Sequence, residues 1–540
     1  MFLCCFYDNY AFQFFKRLTF FKINRRHKIT IMKLLLLVSF LFLSIITFAQ
    51  DNNLGIFQKN SDIGSPKQAG SSTYDPASQV YTIKGAGYNI WFNRDEFQYL
   101  YKKIAGDFIL TANFELDGKG VNAHRKVGWM IRETLQDDAA HATATLHGDG
   151  LTVLQWRVLR GAHMRDPQDE LFFPKKNLQI IQLERSGKKI TMRVANPGEP
   201  LQVIGSHEMP DMRDSVYAGL FVCSHDSAIV ETARIWNVRI DRPVAASYNG
   251  YRDGWLGGRL EVMNVGDGKR KVIYESPTRI EAPNWMPDGK KLLYNANGSL
   301  FTIPVEGGTP EKLNTDTVSR NNNDHGISFD GKMLAISSHR QGLPGGGSTV
   351  YVLPLTGGKP KPVNENTPSY WHGWSPNGKE VLVIGQRNGS KLYQVYKVNI
   401  NTGQEVALTN NTTAHVDGAE YSPDGKYIYY NSSETGTMQI WRMKPDGSSK
   451  EQLTFDQYNN WFPHISPDGK SMVIISFLPD IDPADHPPFK HVMLRLIPLS
   501  GGGTPRVIAH IYGGQGTINV PSWSPDSKQI AFVSNSEKFQ

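Results

Sequence analysis

Residues 460–469 read Asn-Trp-Phe-Pro-His-Ile-Ser-Pro-Asp-Gly, and their Ser-Pro-Asp-Gly core recurs, with small variations, in the second half of this 540-residue chain. The Asp or Asn of the six copies occupies positions Asp288, Asp330, Asn377, Asp424, Asp468 and Asp526. The intervals between these positions are 42, 47, 47, 44 and 58 residues. Four-stranded propeller blades repeat with about this period, so the pattern predicts one blade for each copy.

The chemistry of the repeat explains why it makes a blade. Proline sets φ for the first central position of a turn, and Asp-Gly supplies local hydrogen bonding and tolerates positive φ. A strand follows each turn, as at 426–430, and an outer pair of strands follows that strand, as at 438–454. The sixth copy lacks an outer pair, whereas an unpartnered pair at 259–264 and 271–274 precedes the first copy. Joining these segments would remove exposed sheet edges, so we predict a closed six-bladed propeller over residues 259–540.

The N-terminal segment has the pattern of an export signal that begins inside the sequence. Met32 and Lys33 open a short apolar run that ends before Ala49. This run is short for a membrane-spanning helix, which favours a cleaved signal peptide at 32–49 over a membrane anchor. We expect residues 1–31 to be an upstream extension that is not native to the protein. The mature chain is then periplasmic or secreted, in a bacterium of the Gram-negative type, and has no transmembrane segment.

The net charge of +7 comes mostly from the segment that this processing removes. The whole chain has 58 basic and 51 acidic residues. Residues 1–49 contain seven of the basic residues and one acidic residue, which leaves 51 against 50. A nearly neutral mature chain gives no electrostatic reason to expect nucleic-acid binding. Of the three cysteines only Cys223 remains, so an exported protein is expected to be stable without disulfides.

Residues 50–243 contain no copy of the repeat but many short apolar segments separated by polar turns. This pattern is typical of an all-β sandwich, and residues 244–258 form the linker to the propeller. The segments GDFILTANFEL (106–116), VGWMIRE (127–133) and ETARIWNVRI (231–240) resemble concanavalin-like jelly-roll modules. The resemblance implies a jelly-roll fold for this half of the chain.

The propeller half resembles the TolB-type six-bladed propellers. The resemblance is carried above all by SPDGKYIYYNSSETGTMQIWRMKPDG at 422–447 and extends over about 255–540. It implies a periplasmic protein that binds protein partners. TolB carries an α/β domain before its propeller, whereas a β-sandwich is predicted here, so this role does not transfer by fold alone.

Polar and aromatic residues precede the inner strands of several blades, where they would line the mouth of the central channel. The candidate ligand-binding residues are His325, Tyr370, Trp371, His372, His415, Asp417, Trp461, His464, Gln515 and Asn519. In one interpretation they satisfy the backbone and hold ordered water. In a second they form a pocket where aromatic rings stack on a sugar and polar groups bind its hydroxyls.

The third interpretation of the channel residues is a divalent metal ion held by His325, His372 and His464, with Gln515 or Asp417. A site of this kind resembles that of the metal-dependent oligogalacturonate lyases, which are propellers with histidine ligands in the channel. An insertion at 478–490 is expected either to form a rim over the channel or to decorate the blade edge.

These observations favour an exported, non-catalytic protein that binds a glycan or a cell-envelope polymer or partner at the channel mouth. No Gly-x-Ser-x-Gly or His-Glu-x-x-His motif occurs in the sequence, which is why we favour binding over catalysis. The alternatives are a metal-dependent carbohydrate-active enzyme and a periplasmic protein-interaction scaffold.

Overall fold

The computed structural model describes residues 53–343, 347–500 and 503–537. The predicted upstream extension and signal peptide lie outside these residues. All the elements below belong to one compact unit, Leu54–Gln540. In the part of the chain that the structure describes, no helix is long and apolar enough to cross a membrane.

The first part of this unit consists of sixteen strands in chain order. They are β1 (Lys59–Ile63), β2 (Ser71–Asp75), β3 (Val80–Gly87), β4 (Ile90–Trp91), β5 (Arg94–Asp95), β6 (Phe97–Ile104), β7 (Phe108–Leu116), β8 (Lys126–Arg132), β9 (His141–His147), β10 (Thr152–Arg157), β11 (Glu170–Phe173), β12 (Ile180–Ser186), β13 (Lys189–Ala195), β14 (Gln202–Glu208), β15 (Val216–Cys223) and β16 (Asp226–Asp241). One seven-stranded sheet has the order β1-β6-β15-β8-β9-β10-β11, and a second has the order β14-β13-β12-β7-β16-β3-β2. The short strands β4 and β5 pair with each other.

The two seven-stranded sheets share one hydrophobic core. Leu100 and Trp129 of the first sheet and Leu110 and Ile235 of the second are fully buried members of the same cluster. Successive side chains of a strand point to opposite faces, and β6 and β8 are buried at almost every position because apolar clusters cover both of their faces. The free Cys223 is also buried, beside the first sheet's other face.

A short helix, α1 (Gly250–Asp253), follows and leads into the propeller strands. These are β17 (Gly257–Asn264), β18 (Arg270–Ser276), β19 (Ile280–Trp285), β20 (Lys291–Ala296), β21 (Ser299–Pro304), β22 (Glu311–Lys312), β23 (Asn321–Ile327), β24 (Met333–His339), β25 (Ser348–Pro354), β26 (Lys361–Pro362), β27 (Ser369–Trp374), β28 (Glu380–Gly385), β29 (Gln394–Asn399), β30 (Glu405–Ala407), β31 (Val416–Tyr421), β32 (Ile428–Ser432), β33 (Gln439–Met443), β34 (Glu451–Gln452), β35 (Asn459–Ile465), β36 (Ser471–Phe477), β37 (Lys490–Pro498), β38 (Arg506–Gly513) and β39 (Gln529–Ser536).

The propeller strands form six antiparallel sheets, which confirms the prediction of six blades. Five sheets have four consecutive strands each, from β19-β20-β21-β22 to β35-β36-β37-β38. The remaining sheet has the order β18-β17-β39, and an isolated bridge between Trp523 and Ile530 adds a fourth segment to it. The outer pair that precedes the first repeat therefore completes the blade of the last repeat, as its position in the sequence predicts.

The repeated turn has the hydrogen bonds that its sequence predicts. In the fifth copy the Ser466 hydroxyl donates to Asp468 Oδ1 at 2.6 Å and accepts from the Ser471 amide at 3.0 Å. Asp468 Oδ1 also accepts from the Lys470 amide at 3.1 Å. Gly469 has φ of +69°, a conformation that favours glycine. In this copy one serine and one aspartate thus fix the link between the inner strand and its neighbour, whereas the first copy has Met286 at the serine position and the third has Asn377 at the aspartate position.

The N-terminal sheets and the propeller are joined by buried polar contacts. Glu261 of β17 is fully buried and accepts from Arg239 of β16 at 2.6 Å and from Arg270 of β18 at 2.7 Å. The Gln79 side chain donates to Val272 O at 2.8 Å and accepts from its amide at 3.0 Å, as an additional strand would. Arg239 precedes the linker and Glu261 follows it, so their ion pair holds the two ends of the linker close together. The helix α1 lies between these two ends.

Candidate functional site

A cavity of about 370 Å³ lies where the inner strands of the propeller begin. Each of the six blades contributes at least one residue to its wall: Arg279, Asp324, His372, Asp417, Phe462 and Asn519. Because equivalent positions of the repeated blades converge on the axis, residues 240 positions apart in sequence meet in one place. The volume falls in the range of sites for small polar molecules.

Two carboxylates and one imidazole lie close together in the charged part of the wall, which also contains Arg279. His372 Nε2 lies 3.1 Å from Asp417 Oδ1 and 4.0 Å from Asp324 Oδ1. Both aspartates and the histidine are largely buried, so their charges interact strongly. A second imidazole, that of His486, lies with its Nε2 3.8 Å from Asp417 Oδ2.

Burial and neighbouring charges shift the pKa values of these groups in different directions. Burial raises the pKa of Asp324 to about 7, and the Asp417 carboxylate adds to this effect. Burial would also raise the pKa of Asp417, but the His372 imidazole outweighs it and holds that pKa below its ordinary value. Burial opposes a charge on His372, whereas Asp417 favours it and raises the pKa of the imidazole. The site therefore contains an ion pair beside a carboxyl group that gains protons near neutral pH.

Aromatic rings form the apolar part of the wall. Phe462 stacks on the His372 ring at a centroid distance of 5.9 Å and an interplanar angle of 9°. Tyr370 and Tyr393 meet edge to face at 6.0 Å. Tyr251 reaches the cavity from α1, whose N-terminus is capped because Asn249 Oδ1 accepts from the Tyr251 amide at 2.9 Å. The linker between the two halves of the chain thus contributes directly to the site.

Amide side chains complete the lining. Asn519 Nδ2 donates to Gln515 Oε1 at 2.8 Å, and Asn519 Oδ1 accepts from the Gly516 amide at 2.7 Å. Asn322 and Asn323 also line the wall and belong to the same strand, β23, as Asp324. Such groups offer both donors and acceptors to a ligand that carries hydroxyl groups.

The structure places five of the ten predicted site residues at the cavity wall: Tyr370, His372, Asp417, Gln515 and Asn519. Trp371 and Trp461 are instead buried in the cores between blades. Trp371 follows Tyr370 in β27, and adjacent residues of a strand face opposite ways. Trp461 lies next to the site, with ring centroid distances of 4.4 Å to His486 and 5.7 Å to Phe462.

The other three predicted residues are histidines that lie outside the wall. His325 is fully buried, and burial lowers the pKa of its imidazole to about 3. His415 Nδ1 accepts from the Tyr393 amide at 3.4 Å and its ring packs on the Tyr393 ring. His464 lies between Glu420, at 2.7 Å from its Nδ1, and Ile518 O, at 2.7 Å from its Nε2.

The three histidines predicted as metal ligands do not share one environment. Only His372 lines the cavity, whereas both ring nitrogens of His464 already have close partners and His325 is buried in its own strand. Among the described residues, no group of three or more His, Cys, Asp or Glu side chains is arranged to hold a metal ion.

Four important residues of the wall were not among the predicted site residues. Arg279 directly precedes the inner strand β19, and Asp324 lies within the inner strand β23 beside the predicted residue His325, so the repeat pattern could have found them. His486 belongs to the insertion at 478–490, which was expected to form a rim or a blade-edge decoration; the structure places this residue at the cavity. Nothing in the sequence pattern indicated that Tyr251 would line the site, because this residue lies in the linker, outside the repeats.

The family profile of the TolB beta propeller domain (PD40) matches residues 347–478. Over 281 residues the chain is 44% identical to the uncharacterized protein Atu1656 of Agrobacterium fabrum, across 52% of this chain and 93% of that protein. A solved structure from Agrobacterium tumefaciens, provisionally identified as TolB, is 43% identical and covers 52% of this chain and 99% of its own, with a TM-score of 0.49. The Tol-Pal system protein TolB of Anaeromyxobacter dehalogenans is 32% identical over 83 residues, or 15% of this chain and 18% of that protein.

Proposed function

Because this chain belongs to the TolB-like PD40 propeller family, we propose that it is an exported binding protein whose propeller cavity holds a glycan or another polar component of the cell envelope. The observation that supports this most is the composition of the cavity wall. Tyrosine and phenylalanine rings alternate with carboxylates, amides and imidazoles around one space of about 370 Å³. Rings that stack on a sugar face and polar groups that bind hydroxyls are the two requirements of such a site.

The size of the cavity limits what can enter it. A space of this volume accepts a small molecule, one unit of a polymer or one side chain of a partner, but not a folded domain. A polymer would therefore be bound through an end or a protruding unit. We propose the same cavity for either a free sugar or the end of a chain.

The location and the N-terminal half are part of the proposal. Export rests on the predicted signal peptide at 32–49, and we propose the periplasm or the exterior as the place of action. We also propose that the two seven-stranded sheets form a concanavalin-like jelly roll, supported by the resemblance of their strand sequences and by their common core. This half would then serve as a second module that faces the envelope.

A second candidate, a protein-interaction scaffold, is supported by the comparisons. The family profile is that of the TolB propeller domain, and several relatives are Tol-Pal system proteins TolB. In that case a side chain of a protein partner would occupy the cavity.

A glycan array followed by titration calorimetry tests the proposal. We expect the mature chain to bind at least one envelope-type glycan, and Tyr370→Ala to weaken that binding about tenfold or more, because a well-packed aromatic contact is lost. Phe455→Ala is the matched control, since Phe455 is 76% exposed and lies outside the cavity wall. If no glycan binds, or if Tyr370→Ala binds as well as the control, glycan binding in the cavity is refuted. A protein partner recovered with wild type but not with Tyr370→Ala would then favour the scaffold.

A further inference from the structure

We infer that the cavity selects an amino sugar, and that the protonated primary amine of this sugar lies against the Asp324 carboxylate. The inference rests on the proposed function and narrows it from glycans in general to those with a free amine. It is argued from how the acidic side chains around the cavity are paired, from the rings that surround them and from the amides beside them.

Asp324 differs from the other buried acidic side chains near the cavity. Glu281 accepts from Arg279 at 2.7 Å, and Glu420 lies 2.7 Å from His464 Nδ1. Asp417 lies 3.1 Å from His372 and also accepts from the Gly418 amide at 2.7 Å. Each of these three carboxylates therefore has a close donor.

Asp324 has no comparable donor among the residues that the structure describes. The nearest basic nitrogen is His372 Nε2 at 4.0 Å, and that imidazole is already engaged by Asp417. Asp324 is nevertheless 6% exposed and lines the cavity. A buried carboxylate is costly unless it is paired and hydrogen-bonded, so the position favours a ligand that brings a cationic donor.

The rings of the wall favour the same kind of group. Tyr251, Tyr370, Tyr393 and Phe462 line the cavity together with Asp324. Aromatic faces attract ammonium groups through their quadrupoles, and carboxylates bind them by charge-assisted hydrogen bonds. A wall that combines both is more complementary to an ammonium group than to a neutral hydroxyl or an acetamide.

The remaining lining explains why the amine belongs to a sugar. Asn322 and Asn323 are adjacent to Asp324, and Gln515 and Asn519 lie on another part of the wall. These amides can bind hydroxyl groups that flank the amine. The cavity volume limits the occupant to about one or two sugar units at a time.

The test compares two ligands that differ only at the amine. The probes are the disaccharide of β-1,4-linked glucosamine and its fully N-acetylated form, titrated into the mature chain at neutral pH and low salt. We expect the free-amine disaccharide to bind at least about tenfold more tightly, since a charge-assisted hydrogen bond contributes more than a neutral one. The preference should weaken as salt is added if the ammonium group is partly exposed to solvent.

The protein variant is Asp324→Asn, which keeps the shape and removes the charge. It should bring the affinities of the two probes within about twofold of each other. Asp330→Asn is the matched control because it removes one aspartate charge at the opposite end of a blade. Another blade already carries Asn377 at this turn position, where it accepts from Ser375 at 2.8 Å and from the Lys379 amide at 2.9 Å. This variant should therefore fold and retain the preference.

The outcomes separate the two proposals. Equal affinity of wild type for both probes, or a preference for the acetylated form, overturns the amine inference while leaving glycan binding in place. If Asp324→Asn still binds the free-amine disaccharide more tightly than the acetylated form, a group other than Asp324 binds the amine. This result also overturns the inference. If wild type binds neither probe and no glycan of the array, the proposed function itself fails. The comparison of probes on wild type stands even if Asp324→Asn does not fold.

Discussion

Replacing Glu261 by glutamine tests whether the propeller and the N-terminal sheets are held together by charge. Glu261 is fully buried and receives hydrogen bonds from Arg239, Arg270 and the Ser534 hydroxyl. Glutamine removes the negative charge and places an amide donor against two guanidinium groups. Breaking a buried ion pair by removing one partner costs about 3–5 kcal/mol, so we expect the free energy of unfolding to fall by about 3 kcal/mol or more.

Urea unfolding followed by tryptophan fluorescence measures this effect, with Glu306→Gln as the control. Glu306 pairs with Lys271 at 2.8 Å, but its side chain is 80% exposed, and exposed pairs contribute at most about 1 kcal/mol. Equal shifts of the unfolding midpoint in the two variants would refute the argument.

The same carboxylate gives the effect a pH dependence. Burial would raise the pKa of Glu261, but Arg239 and Arg270 outweigh it and hold the pKa well below its usual range. The stabilisation is therefore complete above the pKa of an unfolded Glu, about 4.3, and is lost as pH falls below it. The difference between wild type and Glu261→Gln should shrink on acidification.

Three further outcomes are expected. Gly326→Ala should lower the free energy of unfolding by about 1–3 kcal/mol in thermal unfolding, because the added Cβ would overlap the buried Trp371 ring of the next blade; an unchanged midpoint would contradict this packing. Burial would raise the pKa of Glu184, but His491 and Arg193 lower it to about 2, so wild type should lose up to about 3 kcal/mol more than Glu184→Gln between pH 4.5 and pH 2; parallel pH profiles would contradict the pair. Burial raises the pKa of the Cys223 thiol, so a thiol reagent should label the mature chain only in denaturant; rapid labelling of the folded chain would place this cysteine at the surface.

The sequence predicts the propeller well because its information is local and repeated. Five of the six copies of the turn contain the serine and the aspartate or asparagine that make its hydrogen bonds, as Ser466 and Asp468 do. The interval between copies then fixes the number of strands per blade. The unpartnered pair before the first copy predicts its pairing with the last copy, which β17 and β39 form. The jelly-roll assignment of the N-terminal sheets stays a prediction.

The site is harder to predict because it depends on where each strand is irregular. The pairing shifts between Trp371 and Gly373 in β27, and between Trp461 and His464 in β35. Such bulges redirect the side chains that follow them, and nothing in the residue types reveals their position. The sequence therefore located the correct end of the propeller but could not separate His372, which faces the cavity, from Trp371, which does not.

The pairing of β17 with β39 has a consequence for the order of folding. Gly257 lies opposite Ser536, so the blade is joined by partners 279 residues apart. During synthesis, β17 emerges long before the strand that will cover its edge, and contacts of such long range form slowly. Until β39 arrives, an open β-edge is available to neighbouring chains, and during this interval the protein is exposed to misassembly.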